Sequence, residues 1–352
     1  MMEKNGKTLR RILVTGGAGF VGSVCTETLL AAGHRVLVAD SLENGRREAV
    51  LPPARLVELD LRDAAQVQKL FRAEAIDAVM HFAALADVTT SVTDPHRFFQ
   101  NNVTGTLNLL AAMLESGVRD LIFSSSAAVY GEPQAVPIDE SHPQNPVNAY
   151  GESKLAIERM LAWYARAYGL RSVSLRYFNA AGATSQLGED RARESHLIPC
   201  LLDAALGKRS EIAIYGDEYP TRDGTCVRDY VHVLDIVSAH VLCLEHLDEL
   251  QCESFNVGHG VGYTVREVLE QARQLTGCPI PVRLAAARPG DPAVLVASPE
   301  KLMKRLGWRP RRDLRNILED AWAWRRAHPQ GFRPAESEEV MSPAEVPQSL
   351  PA

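Results

Sequence analysis

The chain has 352 residues, of which 46% are hydrophobic and 23% charged, and its formal net charge is -6. This is the composition of a globular protein with one large core or two closely packed domains. The acidic balance, without a block of lysine or arginine, argues against nucleic acid or an anionic membrane surface as a partner, and no apolar stretch is long enough to span a membrane or form a signal sequence.

The first half of the chain alternates short apolar runs with longer amphipathic stretches. Strands are predicted at residues 11–15, 35–40, 55–59, 78–82, 121–124 and 173–177. Helical patterns separate them, such as residues 21–32 and 102–116. Strands and helices that alternate at this spacing predict βαβ units, and therefore an α/β fold with a parallel, doubly wound sheet of the Rossmann type.

After about residue 181 the pattern becomes irregular and rich in glycine, proline, aspartate and arginine. We predict a smaller, mixed α/β lobe, mainly residues 181–327, that lies over the open edge of a first domain formed by residues 8–180. The chain is expected to return to the sheet at 225–233, before a helix at 234–247, so that the first domain regains residues near 225–250. Residues 329–352 contain five prolines and four glutamates, which predicts a disordered tail.

A glycine-rich segment, TGGAGFVG at residues 15–22, follows the first predicted strand and opens the first predicted helix. Gly16 permits a tight turn, Gly19 lets a pyrophosphate approach the backbone, and Gly22 lets the helix pack closely on the sheet. Phe20 and Val21 begin the helix whose amino end faces the phosphates. A glycine motif alone is weak evidence, but the strand before it and the helix after it are the context that a dinucleotide site requires.

The second predicted strand ends at Asp40, where a carboxylate accepts hydrogen bonds from the adenosine ribose hydroxyls. A carboxylate there would repel a 2′-phosphate, so the pattern favours NAD over NADP. Ser41 and Asn44 follow it in the predicted site, and Asp60 and Leu61, after the third strand, are expected beside the adenine. The alternative for Asp40 is a solvated side chain at the end of a strand.

Tyr150 and Lys154 are four residues apart in a helical stretch, which places the phenol and the ammonium on one face. A free tyrosine has a pKa of about 10, and a neighbouring positive charge favours its phenolate, so the pair predicts a base for a substrate hydroxyl. The three serines at residues 124–126 end a predicted strand, where hydroxyls point into the ligand crevice of a parallel sheet. The alternative for the Tyr150–Lys154 pair is a spacing that arises by chance. The alternative for the three serines, taken alone, is a serine-rich loop.

With these motifs in this order, the chain resembles the extended short-chain dehydrogenase/reductase family, and within it the UDP-galactose 4-epimerases, from about residue 11 to residue 327. The resemblance is carried by the segments HFAAL at 81–85, NNVTGT at 101–106, SSSAAVYG at 124–131, YGESK at 150–154, RYFN at 176–179, YPTRDGTCVRDYVHV at 219–233 and RPGD at 288–291. The segment at 219–233 is the most specific of them. The resemblance implies an enzyme that interconverts UDP-galactose and UDP-glucose through a 4-keto intermediate with tightly bound NAD.

The resemblance also implies residue roles. Tyr150 would be the base, Lys154 would lower its pKa and hold the nicotinamide ribose, and Ser126 would bind the sugar O4. The residues implied to line NAD are Phe82, Ala83, Ala84, Asn101, Ser124 and Phe178. The residues implied to bind the UDP-hexose are Asn179, His196, Leu197 and Tyr215, with Arg228 and Arg288 on the pyrophosphate, Asp291 on the ribose and Leu295 at the C2 substituent. The alternative for each arginine is a salt bridge with a nearby aspartate, Asp229 or Asp291.

The sequence departs from the family pattern at two positions. Ala86 stands where a lysine that touches the NAD phosphates is common, and His196 stands where an asparagine is common. A 4,6-dehydratase is excluded because no acidic residue follows the serines. A 4-epimerase of another UDP-sugar (an N-acetylhexosamine, a pentose or a uronate) stays open, as does a catalytically silent regulator that binds NAD.

The remaining expectations concern location and assembly. The six cysteines show neither a Cys-x-x-Cys pair nor a zinc-like spacing, so we expect no metal site and a reducing, cytoplasmic environment. The family commonly pairs two long helices of each subunit, and the candidates here are residues 95–116 and 150–168. The resemblance therefore implies a homodimer.

Overall fold

The computed structural model describes residues 2–4, 7–191, 194–288 and 290–332. Its strands are β1 (Met2–Lys4), β2 (Lys7–Leu9), β3 (Arg11–Thr15), β4 (Arg35–Asp40), β5 (Arg55–Glu58), β6 (Ala78–His81), β7 (Asp120–Ser126), β8 (Arg171–Tyr177), β9 (Asn179–Ala181), β10 (Ile212–Tyr215), β11 (Val227–His232), β12 (Cys252–Val257), β13 (Gly262–Thr264), β14 (Val282–Ala285) and β15 (Val294–Leu295). Its helices are α1 (Phe20–Ala31), α2 (Ala64–Ala73), α3 (Val88–Thr93), α4 (Pro95–Phe98), α5 (Gly105–Glu115), α6 (Ala149–Tyr168), α7 (Leu197–Ala205), α8 (Val233–Glu245), α9 (Leu247–Leu250), α10 (Val265–Thr276), α11 (Glu300–Leu306) and α12 (Leu314–Ala327). A π-helical turn, Phe99–Thr104, joins α4 to α5.

Seven parallel strands form the central sheet in the order β12, β8, β7, β6, β3, β4, β5. Successive residues of one strand enter different cores: Val14 packs with α1 and α8 on one face, and Leu13 packs with α2, α5 and α6 on the other. Both faces are therefore covered, which explains why the strands are apolar at nearly every position. The predicted doubly wound α/β fold is confirmed.

The expected return of the chain to this sheet at residues 225–233 is wrong. β11 pairs instead with β9, β13 and β15 in a separate, smaller sheet. The strand that joins the central sheet is β12, next to β8, and α8, which the short α9 separates from it in sequence, packs against α1. β11 is buried along its whole length, so its apolar pattern fits a core strand of either sheet. β12 is half exposed and contains polar residues, so its sequence does not show the apolar pattern of a central strand.

The smaller lobe has a core of its own, to which α7, α10 and α12 contribute Leu201, Leu269 and Ile317. The division at residues 180 and 181 stays a prediction. The predicted tail begins too early, because Phe332 packs on Trp324 and its backbone N–H binds Asp190. Residues 333–352 of that tail lie outside the described residues. Within the described part of the chain, no helix has the length and apolarity needed to cross a membrane.

Candidate active site

The glycine-rich turn lies between β3 and α1, at the carboxyl end of the central sheet. Gly16 has a φ of +71°, and a Cβ on it would lie 2.5 Å from the backbone nitrogen of Ala83. A Cβ on Gly22 would overlap the carbonyl oxygen of Gly16. Helix α1 has Gly19 at its N-cap and no side-chain cap, so the N–H groups of its first turn, at Phe20 and Val21, are available to an anion.

Asp40 is buried at the end of β4, which excludes the solvated alternative. Its carboxylate accepts hydrogen bonds from the backbone N–H groups of Ala18 (3.0 Å) and Leu42 (2.9 Å). Burial raises the pKa of Asp40, and these two bonds oppose the rise. A carboxylate oxygen has two lone pairs, so each keeps one for a ribose hydroxyl. Ser41 and Asn44 are exposed beside it.

The structure places Asp60 and Leu61 directly after β5, the neighbour of β4. Arg62 binds both carboxylate oxygens of Asp60, at 2.9 Å and 3.0 Å from its Nε, and this hydrogen bonding lowers the pKa of Asp60. Leu61 packs against Gly105 of α5. A Cβ added to Gly105 would lie 3.1 Å from the Cβ of Leu61. The side chain of Asp60 is therefore already paired in the protein.

The segment after β6 borders the glycine-rich turn. The N–H of Phe82 donates to the carbonyl of Thr15 at 2.9 Å, and the Phe82 ring stacks on His240 at 4.7 Å. Ala83 packs under Gly16, with Ala84 after it. Asn101, on the π-helical turn, donates to its neighbour Asn102, and Phe178 is buried after β8.

The catalytic candidates converge where β7 ends beside the start of α6. The Lys154 ammonium is buried and donates to the backbone carbonyl of Ser124 at 2.8 Å. Ser126 lies close enough to the Tyr150 phenol to oppose the rise in its pKa. The Lys154 Nζ lies 5.8 Å from the centre of the Tyr150 ring, so the pair shares one helix face as predicted.

The electrostatic state of this pair differs from the sequence-based expectation. Burial raises the pKa of Tyr150, while its hydrogen bond with Ser126 and the charge of Arg191 oppose the rise. Burial also lowers the pKa of Lys154 to about 7, against the charge of Glu158. The protein's own groups therefore do not produce the lowered tyrosine pKa that the spacing suggested, because desolvation of both groups outweighs their attraction.

The three serines do not all face the crevice. The Ser124 hydroxyl is hydrogen-bonded to the hydroxyl of Tyr177, and Ser126 accepts from the N–H of Ala128 at 3.2 Å. Ser125 points the other way and donates to Glu158 at 2.5 Å. The expectation that all three line the crevice is wrong for Ser125, because side chains alternate along a strand.

The residues expected to hold a nucleoside diphosphate meet between β10, β11 and β15. The Arg228 guanidinium binds Asp291 rather than Asp229, its neighbour in sequence. Arg288 lies over the Tyr215 ring, 3.9 Å from its centre. Leu295 stands opposite Arg228 in the ladder of β11 and β15 and is half buried.

Asp229, the other proposed partner for an arginine, has a different environment. It accepts hydrogen bonds from the backbone N–H groups of His259 (2.8 Å), Gly260 (2.9 Å) and Ala297 (3.1 Å). Burial raises its pKa to about 7, and these bonds oppose the rise. Asp229 thus anchors loops through these backbone hydrogen bonds. The guanidinium of Arg228 binds Asp291 instead, at the edge of the crevice.

His196 and Leu197 lie at the start of α7, and Asn179 is exposed on β9. The His196 Nδ1 lies 2.7 Å from Glu189, and the charge of Glu189 raises the pKa of the imidazole. Glu189 is buried and also accepts from Arg191 at 2.6 Å. Burial alone would raise the pKa of Glu189, but the two cations lower it to about 2.

The profile of the NAD dependent epimerase/dehydratase family matches residues 12–258. The chain belongs to this family. The UDP-glucose 4-epimerase of Halalkalibacterium halodurans is 50% identical over 325 residues, which cover 91% of this chain and 97% of that protein. The crystal structure of UDP-glucose 4-epimerase from Bifidobacterium longum in complex with NAD+ and UDP has a TM-score of 0.88 and 37% identity, over 92% of this chain and 100% of that chain. The Brucella ovis enzyme in complex with NAD has a TM-score of 0.86 and 45% identity, over 89% and 97% of the two chains. The predicted family is confirmed.

Within this epimerase-family site, the sequence analysis missed Asn102. Its side-chain amide binds the backbone of Leu85 in both directions (2.8 Å and 3.1 Å) and the hydroxyl of Ser153 on α6 (2.9 Å). One asparagine thus joins the segment under the glycine-rich turn to the helix that carries Tyr150 and Lys154. The only available signal was its place in the segment NNVTGT.

The sequence analysis also missed a buried ion pair below the catalytic helix. Arg176 of β8 binds Glu158 of α6 through Nε (3.0 Å) and Nη2 (2.5 Å), and it donates to the hydroxyl of Tyr130 at 2.9 Å. Tyr130 in turn donates to Asn256 at 2.7 Å. The network joins β7, β8, β12 and α6, and so fixes the strand end and the helix that hold the catalytic candidates.

Proposed function

We propose that the protein interconverts UDP-galactose and UDP-glucose by inverting C4 of the hexose through a 4-keto intermediate, with NAD as its retained cofactor. The observation that carries the proposal is the buried Lys154 ammonium, which donates to the Ser124 carbonyl at the carboxyl end of β7 and lies 5.8 Å from the centre of the Tyr150 ring, so that an acid/base pair stands beside the glycine-rich turn. The names of the relatives and the family description support the same reaction. Tyr150, Ser126 and Lys154 are its proposed catalytic residues.

The described residues fit the cofactor. The backbone around Gly16 and Gly22 leaves no room for a Cβ, the amino end of α1 has no side-chain cap, and Asp40 is held for a ribose. Bound NAD would supply a hydride acceptor and donor for C4 of the hexose and a positive nicotinamide ring beside the phenol. The residues proposed to hold it, besides these, are Phe20, Val21, Ser41, Asn44, Asp60, Leu61, Phe82, Ala83, Ala84, Asn101, Ser124 and Phe178.

The chain's own residues handle the proton. Tyr150 removes the O4 proton with Ser126 as its hydrogen-bond partner, and it returns a proton after the keto sugar has turned over. Lys154, fixed by the Ser124 carbonyl, is proposed to bind the nicotinamide ribose and, in its protonated form, to supply a positive charge beside the phenol. The proton that Tyr150 returns is the one that its phenolate took from O4, and burial, which raises the pKa of the phenol, favours retention of that proton until the return step.

The substrate is proposed to be held by its UDP half, so that the hexose is free to present either face. Arg228 and Arg288 supply two guanidinium groups for the diphosphate, which suits a chain without a broad basic surface. Asp291 would bind the ribose and Tyr215 the nucleoside. Asn179, His196 and Leu197 are proposed to line the remaining side of the site.

A uronate substrate would need an unpaired cation near the hexose C6. The cation that the structure adds near Tyr150 is Arg191, but Glu189 binds it at 2.6 Å and compensates its charge. This pairing disfavours the uronate alternative. The silent regulator is disfavoured by the assembled Tyr150, Ser126 and Lys154 group.

Turnover without added cofactor tests the proposed function. Purified protein incubated with UDP-galactose alone should produce UDP-glucose, and heating should release NAD, which chromatography identifies. Release of NADP only, or a need for stoichiometric NAD, would contradict the proposal. A higher kcat/KM for UDP-glucuronate or UDP-xylose than for UDP-galactose would favour the other UDP-sugars, and an absence of turnover with all of them would favour the regulator.

Leu295 is expected to select against N-acetylated hexoses. It ends β15 opposite Arg228 and offers the C2 substituent an apolar, half-buried surface that cannot hydrogen-bond an acetamido group. Selection by one side chain is worth about 1–3 kcal/mol, so kcat/KM should favour UDP-glucose over UDP-N-acetylglucosamine by about 10- to 200-fold. The Leu295→Ser variant should narrow this ratio. Equal kcat/KM values in the wild type, or an unchanged ratio in the variant, would refute this role.

We propose that the protein forms a homodimer through the outer face of α5 and α6. Apolar side chains are exposed there: Phe99 and Leu107 near the start of α5, and Trp163, 66% exposed, on α6. An apolar patch of this kind is typical of a homodimer interface. Light scattering should give the mass of two chains, and a Trp163→Asp variant that keeps the wild-type mass would contradict this interface.

All six cysteines are free, which supports a reducing, cytoplasmic location.

A further inference from the structure

One polar atom near the proposed diphosphate site has no partner in the protein. Among the described residues, four side-chain polar atoms are buried without a hydrogen bond: Glu194 Oε2, Tyr219 Oη, His240 Nε2 and His259 Nδ1. Tyr219 begins the segment at 219–233, the most specific part of the sequence resemblance, from which only Arg228 has so far been proposed to bind the substrate. A buried hydroxyl without a hydrogen-bond partner destabilises the folded protein. Its presence at this position therefore indicates that a ligand supplies the missing partner.

The loop that carries Tyr219 is anchored to the start of α10. Arg222 donates to Glu267 at 2.6 Å, and the Thr264 hydroxyl donates to Asp223 at 2.5 Å. Thr264 and Glu267 also form the capping box of α10, so the loop is tied to a rigid helix end. These polar side chains of the loop are used to hold its shape.

The inner turn of the loop is closed in the same way. The Thr221 hydroxyl donates to the carbonyl of Thr225 at 2.6 Å, and the N–H of Tyr219 donates to the carbonyl of Gly224 at 2.9 Å. Asp223 accepts from both the N–H and the hydroxyl of Thr225, at 2.9 Å and 2.7 Å. Every polar side chain from 221 to 225 therefore has a partner inside the fold, whereas the buried Tyr219 hydroxyl has none.

The Tyr219 ring sits against the turn that follows Tyr215. Gly216 has a φ of +78°, and a Cβ there would lie 2.6 Å from the Tyr219 ring and 3.0 Å from the Cβ of Ala287. The ring is therefore wedged between the end of β10 and the segment that carries Arg288. Burial raises the pKa of Tyr219, as does the charge of Asp291, and the nearby Arg228 and Arg288 oppose the rise. The phenol is thus a neutral donor among the two arginines.

We infer that the Tyr219 hydroxyl donates a hydrogen bond to the diphosphate of the bound UDP-sugar and is a third donor beside Arg228 and Arg288. The inference rests on the proposed function, because it takes a nucleoside diphosphate as the ligand. Two guanidinium groups and a phenol supply directed donors to an anion that accepts several. The anchored loop keeps the hydroxyl in place before the ligand arrives.

The Tyr219→Phe variant tests this contact, because it removes only the hydroxyl. Inhibition constants of UDP and of uridine are measured against UDP-galactose turnover by the NAD-loaded protein. A lost hydrogen bond to a charged group corresponds to about a 10- to 100-fold weaker binding of UDP, whereas uridine, which lacks phosphate, should bind as before. KM for UDP-galactose should rise with kcat near the wild-type value. Tyr263→Phe is the matched control, since Tyr263 is half buried on the neighbouring β13 and should leave both constants unchanged.

Two results would overturn the inference. An unchanged inhibition constant for UDP would remove the contact, and an equal loss for UDP and uridine would assign Tyr219 to the nucleoside or to the loop shape. Either result in a protein whose wild type epimerises UDP-galactose leaves the proposed function intact. A wild type that neither binds UDP nor epimerises contradicts the proposed function itself.

Discussion

Replacing Tyr150 by phenylalanine should lower kcat for UDP-galactose by about 10²- to 10⁴-fold, which is the usual contribution of a general acid–base group. The substitution removes only the phenol hydroxyl and leaves the ring in its place on α6. The cofactor site should be preserved, since Gly16 and Asp40 are held by backbone contacts that do not involve the phenol. Steady-state kinetics and the NAD content of the purified variant measure the two effects separately.

Two further variants serve as comparisons for this prediction. Ser126→Ala should cost less than Tyr150→Phe, because the base remains and only its hydrogen-bond partner is lost. Tyr164→Phe, near the other end of the same helix, should keep wild-type kinetics. If Tyr150→Phe retained near wild-type kcat with bound NAD, the proposed mechanism would be wrong.

Replacing Glu158 by glutamine should lower the free energy of unfolding by about 3–5 kcal/mol, because removal of one partner leaves a buried charge uncompensated. Arg176 and Glu158 are both nearly inaccessible, with side chains 4% and 7% exposed. Glutamine has almost the shape of glutamate, so the variant creates no cavity. The loss of stability therefore measures the effect of leaving the charge of Arg176 uncompensated. Urea denaturation of the NAD-loaded protein, followed by circular dichroism, measures it.

The matched control is Glu319→Gln, which breaks the ion pair with Arg315 on the outside of α12. Arg315 is 80% exposed and Glu319 is 38% exposed, so this pair should contribute less than about 1 kcal/mol. Similar losses in the two variants would contradict the view that Glu158 and Arg176 hold the strand end and the catalytic helix together. If kcat also falls at temperatures at which the Glu158→Gln protein stays folded, Glu158 also helps to position Lys154.

Local patterns were sufficient for the parallel sheet and for the turn at Gly16. A strand that is buried on both faces must be apolar at successive positions, and a turn with a positive φ and a backbone neighbour against it must be glycine. The four-residue spacing of Tyr150 and Lys154 likewise dictates a shared face on any helix. Such constraints act between residues that are close in sequence, so they can be recognised without knowing the fold.

The same patterns failed where the partner is distant in sequence. β11 has the apolar run of a central strand, but its register with β9, β13 and β15 places it in another sheet. The half-exposed β12 gave almost no signal, although it completes the central sheet. Which strands pair depends on the packing of the whole lobe, and burial by itself does not specify it.

The family, the doubly wound fold, the dinucleotide turn and the residues proposed for catalysis were all predictable from the amino-acid order, because each rests on local spacing or on a resemblance in short segments. Three other properties became visible only in the folded chain: Ser125 faces inward to Glu158, Glu189 compensates the charge of Arg191, and the Tyr219 hydroxyl is buried without a partner. These properties are set by burial and by charges brought together from distant parts of the chain. The pKa of Tyr150 belongs with them, because desolvation appears only when the fold removes the phenol from water.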